Sequence, residues 1–142
     1  MTDTTNDPLE IVAGANYIPI KLRGEVVHLV PSFGAARAIS SKFGGVAAAV
    51  RRVLDFDVDA VAEIVALGLG YTSPTKRPPK DLPEQVFAAG LVDNSEGDLA
   101  HRCVVFLKAI SNGGRVVASD ATNAPSDSDD EAQEAAAPAD PQ

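Results

Sequence analysis

Tryptophan is absent from this 142-residue chain, cysteine and methionine occur once each, and aromatics make up only 5%. A core without large aromatic anchors has to be built from small aliphatic side chains. The 45% of hydrophobic residues are accordingly rich in Ala and Val. The single cysteine, Cys103, excludes an intramolecular disulfide framework and a Cys-based zinc cluster, and it fits a reducing cytoplasm. No apolar run approaches the ~20 residues of a membrane span. The N-terminal stretch MTDTTNDPLEIVAGA is acidic where a secretory signal is basic. The expectation is a cytoplasmic protein without a membrane partner, and the length suggests one domain.

Bases are missing from both ends. Residues 119–142 carry Asp120, Asp127, Asp129, Asp130, Glu131, Glu134 and Asp140, and residues 1–16 carry Asp3, Asp7 and Glu10, with no Lys or Arg in either. All 12 Lys and Arg lie between, so the formal net charge of −8 resides in the ends. Like charges mixed with Ala, Ser and Pro bury too little apolar surface to offset their ordering entropy. Residues 1–16 are therefore read as a disordered arm, 17–118 as the globular domain, and 119–142 as a disordered acidic tail.

Within the body, Ile18, Ile20 and Leu22 alternate with Pro19, Lys21 and Arg23, the period-two pattern of a half-buried strand. Pro19 has no N–H for a ladder, which restricts this strand to an edge or a strand start. Gly24-Glu25 allows a reversal into Val26–Val30, giving a hairpin that is marginal alone and must pack against something. Ser32 can cap a helix with Phe33, Ala36, Ile39 and Phe43 on its apolar side and Gly44-Gly45 as its stop. A short helix follows with Val46, Val50, Val53 and Leu54 on one side. Asp57 or a neighbour can cap a third, striped by Val58, Val61, Ala62, Val65 and Leu69 and ended by Gly68 and Gly70.

Tyr71–Leu82 is a Pro-rich basic loop. Pro83 opens a fourth helix, PEQVFAAGLV, with Val86, Phe87, Gly90 and Leu91 on one side. Ser95 with Asp98 has the spacing of a capping box for a fifth helix over Ser95–Ser111, striped by Leu99, Cys103, Phe106, Leu107 and Ile110. The fold class predicted is α+β and mostly helical, an N-terminal β-hairpin packed on about five short helices.

Nothing in the sequence assembles a catalytic constellation, and no cofactor or metal is expected. His28 and His101 have no second ligand at metal spacing. Cys103 lies in an apolar stripe, where a thiol behaves as a small hydrophobe rather than a nucleophile. Asp55, Asp57 and Asp59 resemble the start of a calcium loop but lack its glycine at the sixth position and its closing glutamate. The glycine pairs never precede a Gly-Lys-Ser/Thr, so none makes a phosphate loop. An enzyme is not indicated.

Nucleic acid is also disfavoured. Lys76, Arg77, Lys80 and the Arg51-Arg52 pair are basic, but the tail is acidic and no interleaved aromatics offer base stacking. The best candidate for gripping a partner is the fourth helix. It is short, follows the Pro-rich loop, and carries Phe87 and Leu91, with Lys76, Arg77 and Lys80 beside it. The opposing reading packs Phe87 and Leu91 into the core.

The stretch IPIKLRGEVVHLVPSFGAARAISSKFGGVAAAVRRVLDFDVDAVAEIVALGL resembles the small phage tail proteins typified by gene transfer agents, a family regarded as tail assembly chaperones and also labelled tail tube proteins. The shared pattern is a hairpin, a helix closing on an aromatic-Gly pair (Phe43-Gly44), a short helix and an Asp-initiated helix. The resemblance covers Ile18–Gly70 and, more loosely, Pro83–Gly114. One departure is that relatives commonly carry acids in the first helix, where this chain has Ser40-Ser41.

What the resemblance implies is a chaperone that binds the tape measure protein. It keeps that protein soluble and extended while the tail tube polymerises around it, and is absent from the mature particle. The tail tube protein and further copies of the chain are additional candidate partners. The alternatives are a structural tail component retained in the particle, such as a tail tube or tail completion protein, and a helical adaptor unrelated to phage.

Overall fold

The computed structural model describes residues 7–73, 75–92 and 98–122. Two strands, β1 (Ile18–Leu22) and β2 (Glu25–Leu29), precede five helices: α1 (Phe33–Phe43), α2 (Val46–Leu54), α3 (Val58–Gly68), α4 (Leu82–Ala89) and α5 (Leu99–Ser111). A 3-10 turn at Ala118–Asp120 follows. The mostly helical α+β architecture expected from the sequence is the one observed. The strands pair antiparallel with Ile18 opposite Leu29 and Leu22 opposite Glu25. Ile18, Ile20 and Leu22 are buried as expected, but Pro19, expected on the opposite and exposed face, is buried too. The turn differs by one residue from the Gly24-Glu25 reversal expected. It is Arg23–Gly24, both at positive φ (55° and 77°), because the two-residue turn that matches strand twist needs two left-handed residues.

Helix α3 occupies the centre, against α1, α2, α4, α5 and β2. Asp57 starts it: its Oδ1 accepts the Ala60 N–H at 3.1 Å, and its Oδ2 accepts Arg52 Nε at 2.8 Å. The Ala60 N–H, and then Arg52, hold the Asp57 carboxyl below its ordinary value. Gly68 is the last residue of α3, where its sequence position suggested an end, and it also has a packing role. A Cβ there would lie 2.9 Å from the Leu29 side chain, so glycine lets the hairpin sit directly on α3. Its carbonyl accepts the Val30 N–H at 2.8 Å. Phe106 of α5 is the largest fully buried side chain.

Several sequence expectations are corrected. Phe33 and Leu54, expected on inward faces, are 78% and 60% exposed; α1 buries Ala35 and Ile39, and α2 buries Ala49 and Val53. Phe33 precedes Ile39 by six residues, which at about 100° each leaves it roughly 120° off the buried stripe. Helix α5 starts at Leu99 rather than Ser95, which lies outside the described residues. Asp98 precedes it without a side-chain cap and instead pairs with Arg102 at 2.8 Å.

The disordered arm expected over residues 1–16 is also corrected, for residues 7–16. Ile11 is buried. Gly14 donates to the Val116 carbonyl at 3.0 Å, and Val116 to that of Ala15 at 2.8 Å. Thr122 bonds Ile11 in both directions, N–H to the Ile11 carbonyl and Oγ1 from the Ile11 N–H, each at 2.8 Å. Arg102 Nη1 reaches the carbonyls of Leu9 and Pro19. The packed body therefore takes in residues 7–16 and 119–122, and the remainder of the predicted acidic tail lies outside the described residues.

Candidate partner-binding surface

Helix α4 turns a narrow stripe inward. Leu82 and Val86, four residues apart, are buried against α3 and β1. Pro83 stands in the first turn, where its missing N–H costs nothing. Gln85 Nε2 bonds Asp81 Oδ1 at 3.0 Å across that turn. Phe87 follows Val86 by one residue, about 100° round the helix, and is 74% exposed. A phenyl ring so placed gains nothing from the core and stays available to a partner.

Leu91 does not share that side. The predicted helix ran through Leu91 and Val92, but α4 ends at Ala89, and Gly90 at φ 97° redirects the chain. The carbonyls of Gly90 and Leu91 accept the N–H groups of Leu99 and Ala100, at 3.3 and 3.1 Å. Leu91 is half-buried against the core, while Val92 is 53% exposed. The pair expected together is split, Phe87 outward and Leu91 inward.

The basic loop lies apart in a shallow cleft. Lys76 and Arg77 line it together with Lys42, Glu63, Tyr71 and Thr72. Lys76 Nζ stands 5.7 Å from the centre of the Tyr71 ring, and Lys42 pairs with Glu63 at 3.4 Å. Lys80 is exposed and is not among the lining residues. A groove between the hairpin and α4 is lined by Lys21, Arg23, Gly24, Gln85, Ala88 and Ala89. Phe87 lines neither. Its ring and the basic cleft are therefore two features rather than one site.

Exposed apolar side chains elsewhere escaped the sequence reading. Phe33 lies under the Arg37 guanidinium at 5.9 Å, and Phe56 is 51% exposed at φ 56°, a left-handed conformation unusual for a bulky residue. Cys103 is fully buried and its thiol is pushed up to about 12 by desolvation, which keeps it protonated. Among the described residues no three His, Cys, Asp or Glu side chains gather to hold a metal, and no helix is long and apolar enough to cross a membrane. Neither a protein-family model, nor a curated protein, nor a solved structure matches the chain.

Proposed function

We propose that this chain is a phage tail assembly chaperone that binds the tape measure protein and keeps it soluble and extended while the tail tube forms. The observation that carries the reading beyond the resemblance over Ile18–Gly70 is Phe87: a large apolar ring, 74% exposed, on a helix anchored by Leu82 and Val86. A helix fixed on one side and apolar on the other suits the capture of an amphipathic segment. Val92, beyond Gly90, is a second exposed apolar side chain, and Lys76, Arg77 and Lys80 would supply charge for acidic positions of the same client. The small share of strand, five residues in each of two strands, weighs against a β-rich tail tube subunit.

The test is co-expression with a phage tape measure protein. The chaperone reading expects that protein to be recovered soluble and to co-purify with this chain, and expects the chain to be missing from purified particles. Recovery of the chain as a stoichiometric component of finished particles would assign it to the tail structure instead.

A further inference from the structure

The outer edge of β2 presents a row of main-chain groups that the fold does not use. Bonded and non-bonded pairs alternate along an antiparallel hairpin, and three observations fix their phase. The two-residue turn is closed by Leu22 and Glu25, which makes that pair, then Ile20–Val27 and Ile18–Leu29, the bonded ones. Pro19, opposite His28, turns its carbonyl away from β2 to Arg102 Nη1 at 2.8 Å. Val30, next in the alternation after Val26 and His28, sends its N–H away from β1 to Gly68 at 2.8 Å. The N–H and C=O groups of Val26 and His28 therefore point outward, and no main-chain partner among the described residues takes them. Both side chains are exposed.

We propose that this edge pairs with the same edge of a second copy, antiparallel about a two-fold axis at Val27, so that a sheet runs β1–β2–β2–β1 across two protomers. The register follows from what limits the edge. Arg23–Gly24 ends it on one side, and the Gly68 carbonyl, already bonded to Val30, ends it on the other. Using both free positions in a two-fold pairing sets Val26 opposite the partner's His28 and Val27 opposite its own copy. Val30 then faces the partner's Gly24, which has no side chain and open space around it. The partner strand turns back where α3 closes the edge, whereas a longer extended peptide would run on into α3. No like charges meet, since Glu25 faces Leu29 and Arg23 faces Pro31. The Val27–Val27 contact is a close β-branched pair of the kind that stabilises sheets. About four new main-chain hydrogen bonds result, over an area well below the ~1,600 Å² of a standard interface, so the association is weak and rises with concentration.

Sedimentation equilibrium of the full chain over a concentration series is expected to show a monomer–dimer equilibrium, with the Val26 and His28 amides gaining exchange protection as dimer accumulates. Val27→Cys should form an intermolecular disulfide under mild oxidant, because facing non-bonded positions lie ~4.5 Å apart at Cα; Val30→Cys should not, and buried Cys103 stays out of the reaction. His28→Pro deletes an outward donor without touching the hairpin ladder, and Val26→Lys charges the edge without constraining the backbone. Each should sediment as a monomer with an unchanged circular dichroism spectrum. The proposal is overturned if the native chain is monomeric throughout, if both folded edge variants still dimerise, or if Val30→Cys cross-links in place of Val27→Cys. It is equally overturned if the two amides become protected only when the tape measure protein is added, which would give the edge to that client.

Discussion

Along α3, everything from Ala60 to Gly68 is buried except Glu63; along α4, only Leu82 and Val86 are. Both helices are apolar in composition, and what separates them is the number of neighbours. Helix α3 is surrounded by four helices and a strand, and its small residues Ala60, Ala62, Ala66 and Gly68 let those neighbours approach closely. Helix α4 packs chiefly on α3 and β1 and needs only an i, i+4 stripe. Its remaining large apolar side chain, Phe87, is surplus to the fold. An apolar residue that the fold does not require is where a binding function can reside.

That contrast can be broken by mutation. Ile64→Ala, at a fully buried α3 position, should cost about 2–5 kcal/mol in urea unfolding. Gly68→Ala should cost about 1–3 kcal/mol, since its new methyl meets Leu29 at 2.9 Å. A neutral result at either site would mean that α3 is not the tightly packed centre described. Asp57→Ala removes the α3 cap and should lower the melting temperature. Because the Asp57 carboxyl is held below 3.8 in the fold, its stabilisation is present above that pH and is lost as pH falls through the lowered value. The mutant and wild type should therefore converge in acid, read from thermal melts between pH 7 and pH 2. Phe87→Ala, on α4, should shift stability by less than ~0.5 kcal/mol.

Cys103 sharpens the same division from the core side. Its thiol titrates near 9.0 in the unfolded chain and near 12 in the fold, so unfolding releases a proton between these values and stability falls as pH rises through that window. At pH 8 a thiol reagent should leave the folded chain unmodified and label it promptly in denaturant.

The hairpin was legible because a period of two leaves little ambiguity: Ile18, Ile20 and Leu22 could only share a face, and they are buried together. Helical faces were harder. Leu54 stands one residue, about 100°, past buried Val53, and Phe33 roughly 120° from Ile39, so both lie outside the buried stripes. The Asp57 cap was readable because capping is local. The docking of residues 7–16 was not, since its bonds join Ile11 to Thr122 across 111 positions, and no local pattern carries that information. For the candidate surface, the sequence singles out Phe87 and the basic loop but pairs Phe87 with Leu91, because the apolar pattern runs on through Gly90, where the chain leaves the helix at φ 97°.

The most direct test of the account couples two readings on one Phe87→Ala protein: its unfolding free energy, and its recovery of co-expressed tape measure protein. A chain that folds as the wild type does and loses capture is the result predicted. A folded Phe87→Ala chain that retains full capture contradicts the assignment of α4 as the client-binding surface.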